Sequence, residues 1–171
     1  HAADPILSID FLSRSGFSSG NAAAFLSSFA IFSLAAFSPL FIQGALGKSP
    51  AEMGVAMIPL SLAWSGGALL CGQTAHRVRK RHYAVAGAFF MLAGSGLALT
   101  ASPSIGLFTT ALALAGAGMG FVSIASLLIV QDSLKTENLG AATASQQFAR
   151  TLGGTIGVGI SGSLLNARFM G

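Results

Sequence analysis

Few side chains in this 171-residue chain are equipped for chemistry, so each can be weighed singly. Gly159-Ile160-Ser161-Gly162 has the Gly-x-Ser-Gly form that can present a serine nucleophile. Such a serine needs a histidine base within hydrogen-bond reach. The histidines are His1, His76 and His82, all in polar stretches remote from Ser161. No apolar run holds a carboxylate, which leaves no paired-acid chemistry and no proton-carrying acid in this chain. Cys71 is the single cysteine, so neither an internal disulfide nor a cysteine metal site can form. There is no Cys/His cluster and no phosphate-binding loop. The chain is expected to be no enzyme and to carry no metal and no cofactor.

What remains is polar chemistry inside apolar surroundings. Arg150 is the one charge within a long apolar run, and Thr143, Gln146, Gln147, Arg150, Gly154 and Gly157 recur at helical spacing along one predicted face. A charge held deep in lipid costs at least ~2.5–3.5 kcal/mol, so Arg150 is expected to face protein or water. It either lines an internal passage or gate, or snorkels to the headgroups along its apolar stem. Trp64 falls mid-run, away from the interfaces tryptophan prefers. There it either faces a cavity, offering a cation–π surface, or simply packs. Asn21 is a further polar residue at the start of an apolar run.

The elements that position these residues follow from composition. Charged residues are 8% of the chain, against roughly 25% in a soluble domain, and hydrophobic residues are 53%. Mean hydropathy is +0.73. Too few charges exist to build a polar shell, so lipid must be the solvent for most of the chain. A bilayer core needs roughly 20 helical residues. By that measure the apolar runs predict five transmembrane helices, at about residues 20–46, 51–75, 83–101, 105–131 and 140–166. Ser49-Pro50-Ala51-Glu52 reads as a capping box with proline at the first helical position. Ser102-Pro103-Ser104 divides the third run from the fourth. Residues 1–17, where Ile6, Leu7, Ile9 and Phe11 alternate with Asp10, Arg14 and serines, read as a lead-in segment lying at the interface.

Gly72-Gln-Thr-Ala-His76-Arg77-Val-Arg79-Lys80-Arg81-His82 concentrates positive charge between two spans. The flanks are membrane-length apolar runs, so nucleic acid is excluded as a partner. Arg14, Arg77, Arg79, Lys80, Arg81 and Lys135 fall on one side, against Lys48 and Arg168 on the other. The richer side is expected to be cytoplasmic. Gly occurs 22 times, mostly inside the spans, where close backbone approach carries helix packing in lipid. Gly116/Gly120 and Gly153/Gly157 have the four-residue spacing this requires, with Gly66-Gly67 and Gly94-Ser-Gly96 as further thin points. The phenylalanines Phe25, Phe29 and Phe32 form a stripe of lipid-facing or packing bulk.

With the spans placed, the basic stretch resembles the loop motif of the major facilitator superfamily: Gly, three residues, Asp-Arg, one residue, Gly, then two basic residues. Gly72, Arg77, Lys80 and Arg81 match, whereas His76 replaces the Asp and Arg79 the Gly. In that superfamily a degenerate copy lies between the second and third helices of the second half, its place here. Leu46 to Gly54 with Ile58-Pro59-Leu60 is similar to the first outer loop and second helix of that half, Gly116 to Phe121 to its fourth helix, and Leu139 to Gly154 to the start of its fifth. Pro5 to Phe17 resembles the segment before this half in the fourteen-helix drug:proton antiporter branch.

The resemblance implies an all-α membrane fold, an incomplete carboxyl-terminal bundle holding five of six helices. It implies two bundles rocking about a central cavity, and proton-coupled export of lipophilic, often cationic compounds. It also implies partners: the lipid bilayer, the amino-terminal half and last helix of the same transporter, a small-molecule substrate and protons. The location would be a bacterial inner (plasma) membrane. Asn21, Trp64, Gln146, Gln147 and Arg150 are then the candidates for lining the substrate pathway. The replacements at His76 and Arg79 put the loop's gating role in question, not its topology. A facilitator of another small solute, and a non-transporting membrane scaffold, remain as alternatives.

Overall fold

The structure is a computed structural model describing residues 11, 13–100 and 104–169, without the side chains of Arg168 and Phe169. Five long helices follow in order: α1 (Ser15–Leu40), α2 (Pro50–Thr74), α3 (Lys80–Thr100), α4 (Ile105–Asp132) and α5 (Leu139–Phe169). A wide π-helical turn, Phe41–Ala45, extends α1, and a 3-10 turn, Thr136–Asn138, leads into α5. No strand occurs among the described residues.

The helix ends follow from local chemistry. Glu52 N–H donates to Ser49 Oγ at 3.3 Å, while Ser49 N–H donates back to Glu52 at 2.9 Å, closing the predicted capping box. The chain enters it through Gly47, whose φ of 62° is left-handed backbone that glycine adopts without strain. Pro39 cannot donate within α1, and the ladder loosens into the wider turn just beyond it, with Leu46 N–H bonding the Phe41 carbonyl at 3.1 Å. Ser104 caps α4 through Leu107 N–H.

Two boundaries differ from the sequence reading. The first helix begins at Ser15, inside the segment read as an interfacial lead-in over residues 1–17. Phe17 is the cause: it is 1% exposed and packs with Val130, Leu134 and Ala142, which draws this turn into the bundle. Residues 1–10 lie outside the described residues. Helix α3 begins at Lys80 rather than at position 83, because Lys80 is held in an ion pair with Asp132 at the end of α4.

Helix α4 is the hub. It packs against α1, α2 and α3, while α5 packs chiefly on α1. Its apolar stretch is 56% buried, against 17% for α3. Small residues allow this. A Cβ at Gly67 would stand 2.7 Å from the Ala117 carbonyl oxygen, and one at Gly118 would stand 2.7 Å from the Met91 nitrogen. Gly116 and Gly120 abut the α2 backbone at Leu60 and Trp64, and Gly153 and Gly157 abut the α1 backbone at Phe25 and Phe29. A Cβ at Gly66 or Gly96 would meet nothing within 4 Å, so they are not the contact points the sequence reading made them. The core proper joins Ile31, Leu60, Met91, Leu112 and Met119. Helices α1 to α4 are long and apolar enough to cross a membrane. Helix α5 has the length, 31 residues, but its polar residues leave it outside that set.

Candidate functional site

The polar residues of α5 meet different neighbours. Gln146 is 3% exposed and donates to Ser126 Oγ on α4 at 3.2 Å. Thr143 accepts from Gln131 Nε2 at 3.0 Å. Gly153 and Gly157 press on α1. These residues build the bundle. Gln147, Arg150 and Gly154 line an open groove of about 400 Å³ with Phe32, Thr151 and Thr155. The predicted stripe is therefore shared between interhelical contacts and the groove.

Helices α1 and α5 line this groove, and its residues Arg150 and Phe32 both reach Trp64 of α2. The Arg150 guanidinium carbon of α5 lies 5.2 Å from the centroid of the Trp64 ring on α2. Phe32 of α1 meets Trp64 edge-on at 6.4 Å between centroids. Arg150 is half-buried and, among the described residues, has neither ion pair nor hydrogen bond beyond this stack. Both Arg150 and Trp64 sit mid-helix. Phe32 was read from the sequence only as packing or lipid-facing bulk. Thr151 and Thr155, on the groove face of α5, were not singled out, although their four-residue spacing beside Arg150 carried the signal.

Asn21 lies apart from the groove. Its amide donates to the Phe17 carbonyl at 2.9 Å and its Oδ1 accepts from Ser145 at 3.3 Å, which ties α1 to α5. Ser161 lines an apolar groove of about 580 Å³ with Phe37, Ser95 and Phe108, at the opposite end of the bundle from His76 and His82. Cys71 is fully buried. No group of three or more metal-ligating side chains occurs among the described residues.

The basic loop sits at the end where α2, α3 and α4 meet. Arg77 Nε donates to His76 Nε2 at 3.1 Å, and Lys80 pairs with Asp132. The carboxylate beside the loop therefore comes from α4 rather than from position 76. Arg14 joins the same end, donating to the Ser133 carbonyl at 2.7 Å. Gly72, Arg79 and Arg81 are exposed.

Comparison with known proteins agrees with this architecture. The family model of the Major Facilitator Superfamily matches residues 5–158. The chain is 33% identical over 170 residues, 98% of its length, to the multidrug transporter protein MdtP of Bacillus subtilis (strain 168). It is 30% identical over 167 residues, 94% of its length, to the multidrug resistance protein fnx1 of Schizosaccharomyces pombe. It is 23% identical over 168 residues, 96% of its length, to the methylenomycin A resistance protein of Streptomyces coelicolor. The chain spans 31%, 31% and 35% of those relatives respectively. No solved structure matches it. Apolar helices of membrane length, joined in this order around a glycine-packed hub and matched by that family over nearly their whole extent, make the chain a multi-pass integral membrane segment that belongs to the Major Facilitator Superfamily.

Proposed function

We propose that these residues form five helices of the carboxyl-terminal bundle of a multidrug-type exporter, which moves lipophilic small molecules out of the cell by alternating access, in exchange for protons. The amino-terminal half and one further helix belong to the same transporter, and α5 spans the membrane with the other four. The membrane is a bacterial plasma membrane. The acid that carries the proton lies outside this chain, whose described carboxylates sit at helix ends: Glu52, Asp132 and Glu137.

One observation carries this reading. Arg150 is held mid-helix over Trp64 of α2 and beside an open groove that α5 shares with Phe32 of α1. A charge at that depth in lipid is costly, so this side chain must meet protein or water. A cavity between two bundles supplies both. The names of the relatives, multidrug and antibiotic resistance transporters, point the same way. A scaffold subunit would be polar at its helix ends alone. A facilitator of another solute would share the groove but not the proton coupling.

The test uses the full-length transporter in proteoliposomes under an imposed pH gradient. Saturable flux of a lipophilic dye that collapses with the gradient is expected, and residues 1–171 alone should give none. Gradient-independent flux would favour the facilitator, and the absence of flux for any solute would favour the scaffold.

A further inference from the structure

The groove has a sign of charge. Its lining includes one cation, Arg150, and no carboxylate. The described carboxylates that could balance it are engaged or distant: Glu52 pairs with Lys48 at one end of the bundle, Asp132 pairs with Lys80 at the other, and Glu137 lies in the turn before α5. The guanidinium carbon lies 5.2 Å from the Trp64 ring centroid, within cation–π range, and among the described residues no carboxylate or carbonyl takes up its N–H donors.

The neighbouring hydroxyls sharpen this. Thr151 donates to the Gln147 carbonyl at 2.9 Å and Thr155 to the Thr151 carbonyl at 3.0 Å, so neither hydrogen is available to a ligand. The donors left to the groove are the Arg150 guanidinium and the Gln147 amide. Beside them lies one aromatic side chain, Phe32. Phe32 and Trp64 meet edge-to-face, and Gly154 lets Phe32 lie against α5, where a Cβ would stand 2.8 Å from its ring. A volume of about 400 Å³ suits a small ring system.

We propose that this groove binds lipophilic aromatic anions, flat ring systems bearing a carboxylate or phenolate, with the anion on Arg150 and the ring against Phe32. This rests on the transport reading above and narrows it, because a cation in the same place would face the guanidinium. Planar N–H pairs on Arg150 match a carboxylate in a two-pronged contact.

The experiment takes the purified full-length transporter and three probes of one shape: pyrene carboxylate, its uncharged methyl ester and pyrenemethylammonium. Binding is read by equilibrium dialysis, and export in proteoliposomes. The carboxylate should bind about tenfold or more tightly than the ammonium, and Arg150→Gln should weaken it about tenfold while moving the ester less than about twofold. Arg150→Lys should keep part of the preference, since the charge remains but the planar fork is lost. The wild-type ranking of the three probes stands as a readout even if a variant fails to fold. Equal or tighter binding of the ammonium would overturn the proposal, as would a carboxylate preference that survives Arg150→Gln. In both cases export of any probe leaves the transport reading in place. If none of the three is bound or exported, both readings fall.

Discussion

Arg150 on α5 and Trp64 on α2 meet across the bundle, guanidinium carbon to ring centroid at 5.2 Å, although their two helices each pack mainly on others. The pair joins the half of the bundle built on α4 to the half built on α1. A partly desolvated cation–π contact contributes ~0.5–2 kcal/mol, about two- to thirtyfold in an equilibrium. Trp64→Leu in the full-length protein should therefore weaken export of some compounds by that order while leaving membrane expression unchanged. Equal export of every compound tested would reduce Trp64 to packing.

Two adjacent glycines should respond oppositely to the same change. A Cβ at Gly67 would stand 2.7 Å from the Ala117 carbonyl oxygen, on backbone that cannot step aside, whereas one at Gly66 meets nothing within 4 Å. Gly67→Ala should cost ~1–3 kcal/mol through forced separation of α2 from α4. Gly66→Ala should be neutral or stabilising by up to ~1 kcal/mol, because alanine restricts the unfolded backbone. Thermal unfolding of the two purified variants decides it, and a destabilised Gly66→Ala would contradict the packing described.

Much of the architecture was legible because lipid imposes simple rules. Charge-free runs marked the helices, and Ser49, Pro50 and Glu52 marked the cap of α2, whose helix starts one residue before the predicted 51. The errors share one cause, which is tertiary contact. Phe17 looked like part of an interfacial segment until Val130 of α4 and Leu134 just beyond it covered it. Lys80 looked like loop until Asp132, far along the chain, paired with it. Spacing showed which residues of α5 were polar but not which neighbour each would face. Gln146 and Gln147 are adjacent in sequence, yet one is a buried interhelical bond and the other lines the groove.

The Gln146–Ser126 bond itself is measurable. Both side chains are buried, and removing either leaves its partner without this contact. Interhelical hydrogen bonds in membranes average a coupling of ~0.6 kcal/mol, with ~1.7 kcal/mol at the top of the range. A double-mutant cycle of Gln146→Leu and Ser126→Ala should return a coupling inside that range by unfolding in mixed micelles. Strict additivity would show that the two side chains do not interact.

The orientation of the bundle rests on which charges its packing gathers. Arg14 bonds the Ser133 carbonyl, and Lys80 pairs with Asp132, so the lead-in, the basic loop and the end of α4 converge at one end. Lys135 follows directly in the turn before α5. At the opposite end, where α1 passes to α2, Lys48 is paired with Glu52 at 3.2 Å. Lysine and arginine accumulate on the cytoplasmic side of short loops, so the crowded end is expected inside. Val78, exposed in the basic loop, and Lys48 are suitable positions for single cysteines in the full-length protein. The background substitution is Cys71→Ala, which exchanges one small buried side chain for another. On intact cells a membrane-impermeant maleimide should label position 48 and reach position 78 only after permeabilisation. Labelling at position 78 with none at position 48 would invert the bundle, and would place its most basic surface outside, where the charge asymmetry has no physical account.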